Sequence, residues 1–280
     1  MAIESIIGLD GEERRLGCVA PKSFSTKYTA FADAFPNEML TIDQIRAALV
    51  NKPSMWARRE RFAGQKYIRN QRNFGSCNGF STAAMLSRIR ELRGEPYVCL
   101  SGADAYSQMN GGHDDGSALQ DGMIVVENGI APEDLVAWNQ IYTSQISSEA
   151  KASRLRFRGF KVYAVDEELE LASALVIGRC CVVAVHVTQS FYQQDGNGVN
   201  RGVNGTGNHS VGVHDIRLQS DGTLNYDQPN SWDVTWCTGG YTWLTWNGQL
   251  RETVKYHRFW VLVSTTDDPQ DNSNPPPVKT

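Results

Sequence analysis

Gln71-Arg-Asn-Phe-Gly-Ser-Cys77 and the seventeen residues after it decide the reading of this chain. The first seven are turn-like, with Asn73 and Gly75 breaking any period. A helical stripe then begins. Met85, Ile89 and Leu92 fall at i, i+4 and i+7, and Gly94 is a plausible stop. Cys77 is therefore expected at the N-terminal end of the first long helix, where the partial positive charge of the helix dipole meets its sulfur.

Working outward, Thr41 to Val50 reads as a short helix with Thr41 as N-cap and Ile42, Ile45 and Leu49 on one face. Residues 52–76 read mostly as loop. Further helices are expected over about 117–128, ending at Gly129, and over about 167–177. Beyond residue 178 the pattern turns to strands, with a buried one over Cys180–Val187 and others over 210–218, 240–246 and 254–263. Ser220-Asp-Gly-Thr223 is a hairpin turn, and 195–208 is a Gly/Asn-rich loop expected to be mobile. Helices in the first half and strands in the second predict an α+β fold of two lobes with a cleft between them.

Composition narrows the function. The chain has 280 residues, 41% hydrophobic and 21% charged, which suits a globular fold with a substantial core. Its 27 basic and 31 acidic residues leave no electrostatic footprint for nucleic acid or anionic lipid. No apolar run approaches the ~18 residues of a membrane span. The start, Met1-Ala-Ile-Glu-Ser-Ile-Ile-Gly-Leu-Asp10, does not read as a signal peptide. A cytoplasmic or assembly-associated location is the expectation, a viral particle included. Six cysteines are too few for a disulfide scaffold and hold no CxxC pair, so free thiols are expected, and neither metal nor cofactor. His113-Asp-Asp115 is a weak metal signal.

A thiol nucleophile needs help near neutral pH, since a free Cys has a pKa of ~8.5. An imidazole stabilises the thiolate and later protonates the leaving amine. A third group must orient the imidazole, and an amide oxygen suffices. A donor pair must hold the oxyanion. Cys77, His209, Asn230 and Gln71 could supply these four parts, with His214 as a competitor to His209.

These residues resemble the papain-like (C1) cysteine peptidases, among which bacterial and viral members are the most similar. His209 lies 132 residues and Asn230 153 residues after Cys77, and Gln71 six before it; this family's spacing is itself a worked example of such reasoning. Asn230-Ser-Trp232, Trp236 and Gly240-Tyr241 resemble the family's Asn-Ser-Trp run. The resemblance implies a helical lobe facing a β-barrel-like lobe, with Cys77 as nucleophile, His209 as proton carrier, Asn230 as its orienter and Gln71 in the oxyanion hole. It also implies substrate contacts at Asn110, Gly111, Gly112, Asn208 and Trp232, and a polypeptide substrate. Its extent suggests a peptidase domain over 52–265, an N-terminal extension over 1–51 that is a propeptide or a packing segment, and a Pro-rich, flexible tail over 266–280. The extension or tail could engage a larger protein assembly.

The departures matter. Asn78 stands where the family usually has an aromatic. Phe74 and Met109 replace a cysteine pair that secreted members join. Asp233 replaces a glycine, and residues 1–50 lack the long helices of the family's inhibitory propeptides. Two alternatives stay open: a papain-like structural or interaction protein with little activity, and another thiol amide hydrolase such as a cell-wall amidase.

Overall fold

The computed structural model describes residues 3–265, so the Pro-rich tail lies outside the described residues. Three short strands come first: β1 (Glu4–Ile7), β2 (Glu13–Leu16) and β3 (Cys18–Val19). Helices α1 (Phe31–Ala34), α2 (Ile42–Leu49), α3 (Arg58–Arg61), α4 (Cys77–Leu92) and α5 (Gly102–Ser107) follow, then β4 (Ser117–Ala118), α6 (Asp121–Asn128) and α7 (Ser148–Ser153). The second half contains β5 (Phe160–Val165), α8 (Glu168–Val176), β6 (Cys180–Val185), β7 (His209–Val213), β8 (Asp215–Leu218), β9 (Leu224–Pro229), β10 (Tyr241–Thr245) and β11 (Phe259–Ser264). The architecture is α+β. A helical lobe around α4 faces two sheets, ordered β5-β11-β6-β7 and β10-β9-β8, which do not close into a barrel.

Local chemistry explains the elements. Thr41 caps α2 in a capping box with Gln44, each side chain bonding the other's backbone N–H. The helix buries Ile45 and Leu49. Helix α4 buries Met85, Leu86 and Ile89, and Gly94 follows its end at φ 91°. All six residues of β6 are buried, because the strand has α4 on one side and α8 on the other.

Three expectations are corrected. Ser117–Ala118 is a strand rather than the start of a helix; the helix begins at Asp121, and short apolar runs do not separate the two periods. The strand expected over 210–218 is two strands in different sheets, divided at His214. The strand expected over 254–263 begins only at Phe259, after a 3-10 turn. The 195–208 loop is well tied down: Asn200 donates to Phe191 O at 2.8 Å and its N–H to Trp243 O at 2.8 Å.

The first fifty residues divide in two. Phe31, Ile45 and Leu49 belong to the main core, while β1 and β2 form a hairpin whose chain continues as an extended strap over residues 14–19.

Candidate active site in the cleft between the lobes

Cys77 is the first residue of α4 and is completely buried. From the opposite lobe, His209 opens β7, and the N–H of Ser210 donates to Cys77 Sγ at 3.4 Å. Asn230 follows β9. Its Oδ1 lies 2.9 Å from His209 Nε2, and its backbone N–H is fixed on Gly240 O at 2.9 Å. An amide oxygen only accepts, so Nε2 carries the proton and Nδ1 is the basic nitrogen. Nδ1 is buried and has no hydrogen-bond partner among the described residues. Trp232 lies under the imidazole, ring centroids 4.6 Å apart, and is itself buried against Tyr192. It shields the His209–Asn230 bond from water.

Gln71 is held by reciprocal bonds to the Asn230 loop. Its N–H donates to Ser231 O at 2.9 Å, and its Oε1 accepts from Ser231 Oγ at 2.6 Å. That fixes the amide so that Nε2 donates one hydrogen to Phe74 O at 3.0 Å and turns its second toward the cleft. Four residues separated by up to 159 positions thus converge, as their spacing predicts.

Asn208 contributes its backbone carbonyl to the cleft while its side chain clamps Val187, its Oδ1 accepting from Val187 N at 2.8 Å. Asn110, Gly111 and Gly112 form a turn in which Asn110 donates to Ile141 O and accepts from Gly112 N. The chain in the cleft pairs instead with Ser117 and Ala118, which sequence reasoning missed. Gly116 sits at φ 80°, and a Cβ there would lie 2.4 Å from Gly17 O. Asp233 adopts φ 73°, the conformation of the glycine it replaces. Phe74 and Met109 pack on one small cluster with Tyr106 and Ala103, and all six cysteines are free. Asn78 donates to Ala118 O at 2.8 Å and Ser117 Oγ at 3.1 Å, tying the start of α4 to β4. His214 is bound to Asp227 at 3.0 Å in a fully buried pair away from the sulfur. Among the described residues, no group of His, Cys, Asp and Glu could hold a metal ion, and no helix is long and apolar enough to cross a membrane.

The cleft is filled by the chain's own strap. Gly17 O accepts from Ser117 N at 2.8 Å on the helical lobe, and Cys18 N donates to Asn208 O at 3.0 Å on the other. Arg15 O accepts from Gln71 Nε2 at 3.3 Å, and its guanidinium pairs with Asp114. Arg14 is buried over Trp232, 5.6 Å from the ring centroid. The backbone of Gly17 lies beside Cys77, close enough that its N–H favours the thiolate. A Cβ on Gly17 would lie 1.8 Å from Gly75 O, so only glycine fits there.

Burial sets the electrostatics. It pushes the Cys77 thiol up to about 11, against the N–H groups of Ser210 and Gly17, which favour the thiolate. It brings His209 down to about 4; the Asn230 bond opposes this and the Arg14 charge adds to it. With the strap seated, both groups are neutral at pH 7.

Comparison with known proteins bears on the family and the fold. The profile described as "Papain family cysteine protease" matches residues 52–257. Among solved structures, xylellain, a cysteine protease from Xylella fastidiosa, superposes with a TM-score of 0.64 at 18% identity, covering 89% of this chain and 96% of its own. A procathepsin B from Trypanosoma congolense gives 0.63 at 20%, covering 89% and 86%, and bromelain from Ananas comosus gives 0.56 at 16%, covering 75% and 97%. A search of curated proteins found no match. With the family profile spanning most of the chain and the same fold throughout these structures, the protein belongs to the papain family of cysteine proteases, enzymes that hydrolyse peptide bonds.

Proposed function

We propose that Cys77, His209 and Asn230 form the catalytic triad, that Gln71 Nε2 and the Cys77 N–H bind the oxyanion, and that residues 3–19 keep this protease latent. The observation that carries the reading is the pair of contacts on β7: His209 bonds Asn230 while the next residue's N–H reaches the Cys77 sulfur.

Once the strap leaves, water enters and His209 Nδ1 can take the thiol proton. The thiolate attacks the carbonyl carbon of a polypeptide, and the oxygen's new charge falls between Gln71 and the Cys77 N–H. The imidazolium gives its proton to the amine as the C–N bond breaks, leaving a thioester on Cys77. A water then loses its proton to His209 and attacks the thioester, releasing the acid and the thiol.

The strap escapes this chemistry because of its polarity. The sulfur meets the Gly17 N–H, while the Gln71 amide holds the carbonyl of Arg15, two residues away. No single carbonyl is presented to both. The strap is therefore a ligand of the cleft without being a substrate, and the removable piece ends within the mostly exposed stretch 20–27 rather than at residue 51.

The test compares wild type, Gly17→Val and Gly17→Val with Cys77→Ala on an unfolded protein substrate, with iodoacetamide labelling sites read by mass spectrometry. Gly17→Val cleaves and is labelled at Cys77, and the double variant does neither. Equal cleavage by both variants, or labelling of another cysteine in its place, refutes the assignment.

A further inference from the structure

The strap records what the cleft accepts beside the reacting position. Gly17 lies at the sulfur, and its neighbour Cys18 sends its side chain into the sheet lobe, where it is only 3% exposed. There Cys18 Sγ stops 3.5 Å from His257 Nδ1. His257 is itself buried: its backbone N–H donates to Thr253 O at 2.9 Å, and its ring is held by Nε2, 3.2 Å from Gly207 O. A carbonyl only accepts, so Nε2 carries the proton and Nδ1 offers its lone pair to the Cys18 thiol. Burial lowers the proton affinity of His257, which keeps it in this neutral form.

We infer that His257 is a specificity-determining residue, and that its pocket takes a small substrate side chain bearing a hydrogen-bond donor, namely serine, threonine or cysteine. The inference rests on the protease reading above. Two physical arguments carry it. The imidazole lies at van der Waals distance from a side chain of one heavy atom beyond Cβ, and its ring is anchored, so leucine or phenylalanine has no room without moving it. A carboxylate would face the Nδ1 lone pair, with Asp121 also close enough to disfavour a thiolate at Cys18. An alanine would fit but would leave Nδ1 unpartnered in a buried place.

Polarity assigns the position. A substrate must present a carbonyl where the strap presents the Gly17 N–H, so it runs opposite to the strap, because reversal exchanges N–H and C=O along a groove. The pocket then takes the residue immediately N-terminal to the one whose carbonyl is attacked.

The experiment uses the full chain carrying Gly17→Val, which unseats the strap. Digestion of a proteome-derived peptide library, with the new C-termini read by mass spectrometry, gives serine, threonine and cysteine roughly 5- to 10-fold over leucine and phenylalanine at the penultimate position. Adding His257→Leu reverses that order in favour of leucine and valine, with melting temperature confirming the fold. A leucine or phenylalanine preference with His257 intact, or an unchanged profile in His257→Leu, overturns the inference while leaving the protease reading standing. Absence of any cleavage by folded Gly17→Val overturns the protease reading and this inference with it. The strap supplies an independent arm. In an otherwise wild-type chain, Cys18→Ser keeps Cys77 as slow to label as wild type and Cys18→Leu speeds labelling. Equal rates for Cys18→Leu and wild type refute the small pocket.

Discussion

Residues 3–19 and residues 31–50 are close in sequence, yet different forces hold them. The earlier stretch places only Leu16 and Cys18 in the core and is otherwise tied by main-chain hydrogen bonds and charges: Gly17 and Cys18 to the two lobes, Arg15 to Asp114, and Glu4 to Asn208 at 2.7 Å. Its hairpin leaves Ile7 and Leu9 exposed. The later stretch buries Phe31, Ile45 and Leu49 in the main core, with Leu40 N on Ser173 Oγ and Ala32 N on the Glu170 carboxylate. Hydrogen bonds exchange with water at small net gain, whereas buried apolar groups do not. The first stretch, with the smaller apolar share, is therefore expected to leave before the second, on which the fold of the domain depends.

The sharpest way to break this contrast is Gly17→Val. The added Cβ collides with the Gly75 carbonyl, so the strap unseats and Cys77 labelling by iodoacetamide rises roughly 100-fold or more, which corresponds to a seated strap worth about 3 kcal/mol. The melting transition of the domain stays sharp. A labelling rate equal to wild type would mean that the strap does not close the cleft. Next in size is Phe31→Ala, expected to remove roughly 3–5 kcal/mol of global stability in a denaturant melt while leaving the native-state labelling of Cys77 slow. Fast labelling without a loss of stability would place residue 31 with the strap instead of the core.

The smallest effect is that of pH. With the strap seated His209 titrates at about 4; with water admitted it returns toward the ordinary ~6.5. Between those values the open form binds more protons. The strap's stability is thus full above ~6.5 and is lost as pH falls toward 4, by roughly tenfold in the closing equilibrium between pH 7.5 and 5.5. Cys77 acts from the other side. Its seated value of about 11 exceeds the ordinary ~8.5, so closure also weakens as pH rises above ~8.5. Hydrogen exchange at the Cys18 N–H, corrected for the intrinsic pH dependence of exchange, reads both limbs. A flat profile from 5.5 to 7.5 would separate His209 from strap closure.

The proposed constellation was legible because spacing within a family is rigid: Gln71, Cys77, His209 and Asn230 lie together as their separations imply. The strap was not. Gly17 matters because Gly75, 58 residues on, leaves no space beside it, and no local pattern encodes that distance. Asn110-Gly-Gly112 drew attention as a glycine pair, but the strap's backbone partner is Ser117, on a two-residue strand too short to carry a period. The segment that fills the cleft is short and has no long helix, so no periodic signal in residues 1–50 marked its place. Asn78, standing where the family usually has an aromatic, is satisfied by Ser117 and Ala118 and braces the edge on which the strap lies.

The exposed stretch 20–27 joins the strap to the core-anchored residues that follow. While it is intact, closure is unimolecular, and the strap competes with substrate at an effective concentration in the millimolar range, independent of how dilute the protein is. A cut in this stretch changes no contact in the cleft. It changes the order of the reaction: the strap becomes a free peptide of modest affinity, and dilution alone then decides how much of the enzyme is open.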